Sequence, residues 1–150
     1  MPLVFLSGVA LAKTDKMFIS DAIKGDNSEV ILGQIAAEKG ANEGIRSFGN
    51  TLETEDAKAK KQALAVAKKL GVTPPTGMTD EAKAEREKLR DLSGEAFDRE
   101  FASYMVKDHE KDIAEFKEKA ASGDSRVSRM AKMQIPALEK HLKIAQGLSK

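Results

Sequence analysis

No cysteine and no tryptophan occur among the 150 residues, and tyrosine appears once. Without cysteine there are no disulfides, no thiol nucleophile and no Cys-ligated zinc. Aromatics make up 5% of the chain, too few for the strand-rich core of a β-sandwich or barrel. There are four prolines, and two of them stand together at Pro74-Pro75. Charge of one sign is also missing: 25 basic against 24 acidic residues leave a formal net charge of +1. Such a balance exerts no long-range pull on nucleic acid or on an anionic membrane. The longest uncharged apolar run, residues 2–12, is too short to span a bilayer as a helix.

What is abundant is equally informative. Ala, Glu, Lys, Leu and Arg form about half the chain, the composition of long helices. No segment alternates with period two for long enough to be a strand. The expected fold class is all-α: an antiparallel four-helix bundle in one domain over residues 13–150, with a short extra helix in the connection between helices 2 and 3.

Residues 2–12 (PLVFLSGVALA) end in Ala10-Leu11-Ala12, like the apolar region and cleavage site of a secretory signal. No Lys or Arg precedes the run. The segment is therefore either a signal-peptide remnant or an apolar N-terminal extension packed on the bundle. The first reading implies export to the periplasm or cell envelope.

Thr14 is a good N-cap for a first helix, which Gly25-Asp26-Asn27-Ser28 interrupts as a kink or bulge and Gly40 ends. Asn42 caps the second helix and Gly71 closes it, with apolar residues at Ile45, Phe48, Leu52, Ala59, Ala63, Val66 and Leu70. In that stripe Glu55 or Asp56 stands where a hydrophobe is due. Residues 72–78 form a loop, and Thr79 caps a short helix over 80–92. Ser93-Gly94 opens a third long helix that reaches about Ala121. Asp124 or Ser125 caps the last one, in which Pro136 predicts a kink or local break near Met133.

Two segments match at an offset of 53 residues: Phe48, Leu52, Glu55, Asp56 and Lys58 align with Phe101, Met105, Asp108, His109 and Lys111. Helices 2 and 3 should then hold related positions, each setting a polar residue into its apolar stripe at a similar height. Both histidines also fall on apolar stripes, His109 between Met105 and Ile113 and His141 between Leu138 and Ala145. Buried polar groups need partners. Glu55, Asp56, Asp108, His109 and His141 are one candidate polar core cluster, which would fix helix register. Glu29, Asp56, His109 and His141 are a candidate metal site, since imidazole and carboxylate suit a divalent transition metal such as zinc, copper, iron or manganese. The Glu-x-x-His pairs of di-iron bundles are absent, and no P-loop, G-x-S-x-G or H-E-x-x-H motif occurs. The mixed charges on the remaining faces are solvated surface.

Further residues carry a family resemblance. Ser28-Glu29-Val30 with Leu32-Gly33, Phe48-Gly49, Lys69-x-Gly71-Val72-x-Pro74, Leu92-Ser93-Gly94-x-Ala96-Phe97-Asp98, Asp108-His109-Glu110-Lys111 and Pro136-x-Leu138-x-x-His141-Leu142 follow one another in order. The pattern resembles the secreted bacterial family called domain of unknown function 4142. The resemblance implies a ferritin-like helical bundle, export, and no established activity, with shared polar positions at Glu29, Asp108, His109 and His141. It also implies an Asp-His pair in helix 2, where this chain has Glu55-Asp56. The expectation is an exported, non-enzymatic helical-bundle protein with a binding or stress-related role. Its partners would be an envelope protein or a small ligand, and its state a monomer or weak homodimer. The alternative is a metal-binding or metal-storage protein.

Overall fold

A computed structural model describes residues 13–150. Among them are five helices and no strand: α1 (Asp15–Lys39), α2 (Glu43–Leu70), α3 (Asp80–Arg90), α4 (Gly94–Ala121) and α5 (Arg126–Leu148). The segment expected to be a leader, residues 2–12, lies outside the described residues. No helix among those described is long and apolar enough to cross a membrane.

The helix ends follow the local chemistry. Thr14, Asn42, Thr79 and Ser125 each accept a hydrogen bond from the backbone N–H three residues on, satisfying one donor that a helix N-terminus leaves open. Gly71 closes α2 in the left-handed region, at φ 68°. Two expected interruptions do not occur. α1 runs through residues 25–28 without a break, because its polar side chains there are used against a neighbouring loop. Asn27 donates to the carbonyls of Pro75 and Gly77, and Ser28 Oγ donates to the Lys24 carbonyl and accepts from the Thr79 N–H. α5 likewise continues through Pro136. Lys132 and Pro136 are both exposed, so the carbonyl that proline leaves unpaired lies on the water side of the helix.

α1 pairs with α2 and α4 with α5, so the four long helices form two hairpins, and α2 also meets α5. The short α3 rests on α1 and α4. The α1–α2 hairpin is tight: a Cβ built on Gly49 would lie 2.5 Å from the Gly33 carbonyl oxygen, and one on Gly33 2.7 Å from that of Gly49. Two side chains lock the turns, Asp98 buried and Lys39 half-buried. Asp98 of α4 accepts from the Ala41 and Asn42 N–H groups at 2.8 and 2.9 Å, holding the α1–α2 corner. Lys39 donates to the Leu89 and Arg90 carbonyls at 2.8 Å each, capping the end of α3.

The core is divided in two. At one end Leu32, Phe48, Leu52, Phe97, Phe101 and Met105 pack together, with Phe48 edge-on to Phe101 at 6.0 Å. At the other end Phe18, Ile19, Ile23, Ala63, Phe116 and Val127 pack, with Phe18 against Phe116 at 4.9 Å. Between them every long helix turns polar at the same height: residues 26–29 on α1, Asp56 on α2, His109 on α4 and His141 on α5, all buried. The internal repeat is thus visible in space: Phe48 faces Phe101, and Asp56 and His109 follow two turns later.

The glycine contact gives a prediction. Gly49→Ala should destabilise the fold by about 1–3 kcal/mol, because the added methyl forces two backbones apart and overpacking outweighs the roughly 1 kcal/mol gained in helix propensity. Gly25→Ala, whose Cβ would meet nothing within 4 Å, should instead hold or raise stability. Urea unfolding of both variants checks the pair; equal midpoints would refute the close-approach argument.

Candidate metal centre

Every residue proposed from sequence sits in or beside the polar layer, but in different roles. Glu29, His109 and His141 converge: one donor atom from each lies within 4.8 Å of the other two, and all three side chains are buried. Asp56 is buried beside them and does not belong to that group; its carboxyl faces Glu29. Asp108 is half-buried, and its carboxyl also faces Glu29. Glu55 is not a core residue but the outer partner of His141, with its second oxygen on Lys140 Nζ. The candidate residues therefore divide into three converging donors, two acids facing one of them, and one supporting carboxylate.

The hydrogen bonds fix which nitrogens are free. His109 Nδ1 lies 2.8 Å from the Met105 carbonyl oxygen, which can only accept, so Nδ1 carries the proton and Nε2 keeps its lone pair. That Nε2 has no hydrogen-bond partner and stands 3.5 Å from Glu29 Oε1. His141 Nε2 lies 2.6 Å from Glu55 Oε2, leaving its Nδ1 without a partner. Lys140, with help from His141, holds the Glu55 carboxyl below the usual carboxylate range, so Glu55 is the acceptor and His141 Nε2 the donor. Each ring is therefore anchored through one nitrogen by an oxygen, the arrangement that orients histidines on a metal. The two rings meet edge to face at 5.5 Å.

The electrostatics are those of a dry acidic layer. Burial, followed by the neighbouring carboxylates, pushes Asp26, Glu29 and Asp112 well above the ordinary range. Burial also raises Asp56 to about 6, against a favourable hydrogen bond with Glu29. It drives His109 down to about 4, so that imidazole is neutral and available as a ligand near neutral pH. Apart from the carboxyls that face one another at Glu29 and Asp56, both Glu29 oxygens, Asp26 Oδ2 and Asp56 Oδ2 are buried without hydrogen-bond partners. A cleft of about 320 Å³ reaches this layer, lined by Asp26, Glu29, Asp56, Asp112 and His141 together with the rings of Phe18 and Phe116.

Asp26 and Asp112 escaped the sequence reading. Asp112 follows Asp108 by four residues and so shares its helix face, a spacing that could have flagged it. Asp26 lay inside the stretch expected to interrupt α1.

The fold and its buried donor set define an all-helical protein with a polar layer across its core. The chain belongs to the family described as domain of unknown function DUF4142, which it matches over residues 5–148. Two solved structures share the fold. One is the DUF305 fragment from Deinococcus radiodurans, at TM-score 0.79 and 17% identity, covering 93% of this chain and 98% of that one. The other is CopM in its Cu(II)-bound form, at TM-score 0.78 and 14% identity, covering 93% and 97%. No curated protein matches the chain.

The buried acids set a pH dependence. An acid whose folded value is raised stabilises the fold below its unfolded value, near 4, and that contribution is lost as pH rises through the folded value. His109 acts in the opposite sense, costing stability as pH falls from about 6.5 towards 4. Asp26, Glu29, Asp56 and Asp112 outnumber it. Metal-free protein in chelator should therefore melt at a higher temperature at pH 5 than at pH 8. A melting temperature that climbs between those values would show that the carboxyls are not neutral in the folded state.

Proposed function

We propose that this protein binds a divalent transition metal, copper or zinc by donor type, through Glu29, His109 and His141. The observation that carries the reading is the convergence of three buried donors whose facing atoms lack hydrogen-bond partners. A polar layer that served only to fix helix register would satisfy its members internally. Here a cation is the partner that two bare imidazole nitrogens and a carboxylate can share, since none of the three then needs a proton. The Cu(II)-bound form of CopM, a protein of similar fold, supports the same reading. Asp56 stands next to Glu29 as a proton acceptor or an added ligand. The arrangement of the four long helices supports a ferritin-like four-helix bundle. The role proposed is metal binding or storage rather than catalysis, outside the cytoplasm, the apolar run at residues 2–12 being the support for export.

Titration of metal-free protein with Zn²⁺ or Cu²⁺ should give one tight equivalent. His109→Ala should abolish it, and Glu55→Gln, which loosens the anchor of His141, should weaken it by about 10–100-fold. Binding should release protons, because the metal displaces the one held by Glu29, and calorimetry in buffers of different ionisation enthalpy will count them. Equal stoichiometry and affinity in wild type and His109→Ala would remove the site. For export, the N-terminus of the mature protein is expected at Lys13, and a product retaining residues 2–12 would reject cleavage there.

A further inference from the structure

We propose that the polar layer also holds a second cation, a hard divalent ion in an all-oxygen site formed by Glu29, Asp108 and Asp112. The inference rests on the histidine site for its shared ligand Glu29, and goes beyond it in donor set, ion class and stoichiometry.

One carboxylate oxygen from each of Glu29, Asp108 and Asp112 lies within 4.8 Å of the other two. Asp108 and Asp112 stand one turn apart on α4, which sets both on one face of the helix. The group contains no nitrogen or sulfur, and carboxylates completed by water suit Mg²⁺, Ca²⁺ and Mn²⁺.

Three further observations point to an ion there. Glu29 is 3% exposed, and neither of its oxygens has a hydrogen-bond partner other than the neighbouring carboxyls of Asp56 and Asp108. Each of the two groups needs one oxygen of that carboxylate, which has two. Acids also crowd one level of the fold at Asp26, Glu29, Asp56, Asp108 and Asp112, with Lys60 acting on Asp26 and Lys111 on Asp108 and Asp112, while Lys119, the buried lysine among the described residues, is engaged elsewhere with Asp15 and the Lys13 carbonyl. A cation at this level lets such carboxyls ionise instead of holding protons. Finally, there is room. The 320 Å³ cleft is bordered by Glu29 and Asp112, and Asp26 Oδ2 and Asp56 Oδ2, both buried and without partners, are placed to accept hydrogen bonds from the waters of an ion. A water occupies about 30 Å³ of liquid, so an ion with several waters fits.

Mn²⁺ is the probe, its free concentration read from its electron paramagnetic resonance signal and bound metal by elemental analysis. Protein first loaded with one equivalent of Zn²⁺ should take up one further Mn²⁺ without releasing zinc. Asp112→Asn and Asp108→Asn, which keep side-chain size and remove a crowded charge, should each weaken Mn²⁺ uptake at least tenfold while zinc uptake stays at one equivalent. His109→Ala should lose the zinc and keep the manganese. No Mn²⁺ uptake by the zinc-loaded protein, uptake only with release of zinc, or uptake equal in wild type and both Asn variants (an adventitious ion only) would each overturn the proposal. Should wild type decline zinc yet bind manganese in a manner that depends on Asp112, the oxygen site stands and the histidine site falls.

Discussion

The carboxyl of Glu29, set almost out of reach of water between two apolar cores, is the constraint on which the rest of the structure turns. A buried charge without a partner is costly, and such a group resolves the cost by holding a proton or by gaining a cation. Each long helix brings a group to that level: Asp26 on α1, Asp56 on α2, His109 on α4 and His141 on α5. The apolar clusters above and below keep it dry. The fold thus gathers polar atoms and leaves solvent one approach to them, through the cleft lined by Glu29 and Asp112.

Holding that arrangement requires the helices to be fixed in register. The glycine contact between α1 and α2 brings two backbones together close to the layer, only four residues from Glu29 along α1. Asp98 and Lys39 tie the turns at one end, while Lys119 bonded to Asp15 and the Lys13 carbonyl ties the other. The histidines are anchored in turn by the Met105 carbonyl and by Glu55. These contacts leave Glu29, His109 Nε2 and His141 Nδ1 untouched, yet they determine where those atoms point. Preorganisation of this kind lowers the ordering cost that a flexible site would meet on binding.

Helix limits, caps and the layer's four main members were legible because they rest on local chemistry: a cap is a side chain near its own backbone, and His109 or Asp56 betrays itself by breaking a stripe. Asp112 broke no stripe. It stands beside Ile113 among charged residues that resemble solvated surface, and its half-buried position follows from the packing of α4 against the rest of the fold. Asp26 was obscured for a related reason. Gly25-Asp26-Asn27-Ser28 has turn-forming composition, and only the distant loop carbonyls of Pro75 and Gly77 explain why it is helical. Pro136 shows the converse: a strong local signal is tolerated where the helix face is wet.

The exchange at position 56 carries a chemical consequence. The family resemblance leads one to expect histidine there, a neutral donor at pH 7. Aspartate offers oxygen in place of nitrogen, and when ionised it adds a negative charge to a layer already crowded with acids. Oxygen donors favour harder ions than imidazole does. The added charge also increases the demand for positive charge within reach of Glu29. On the proposed reading, aspartate at position 56 shifts the layer's preference away from the softest metals relative to a third histidine.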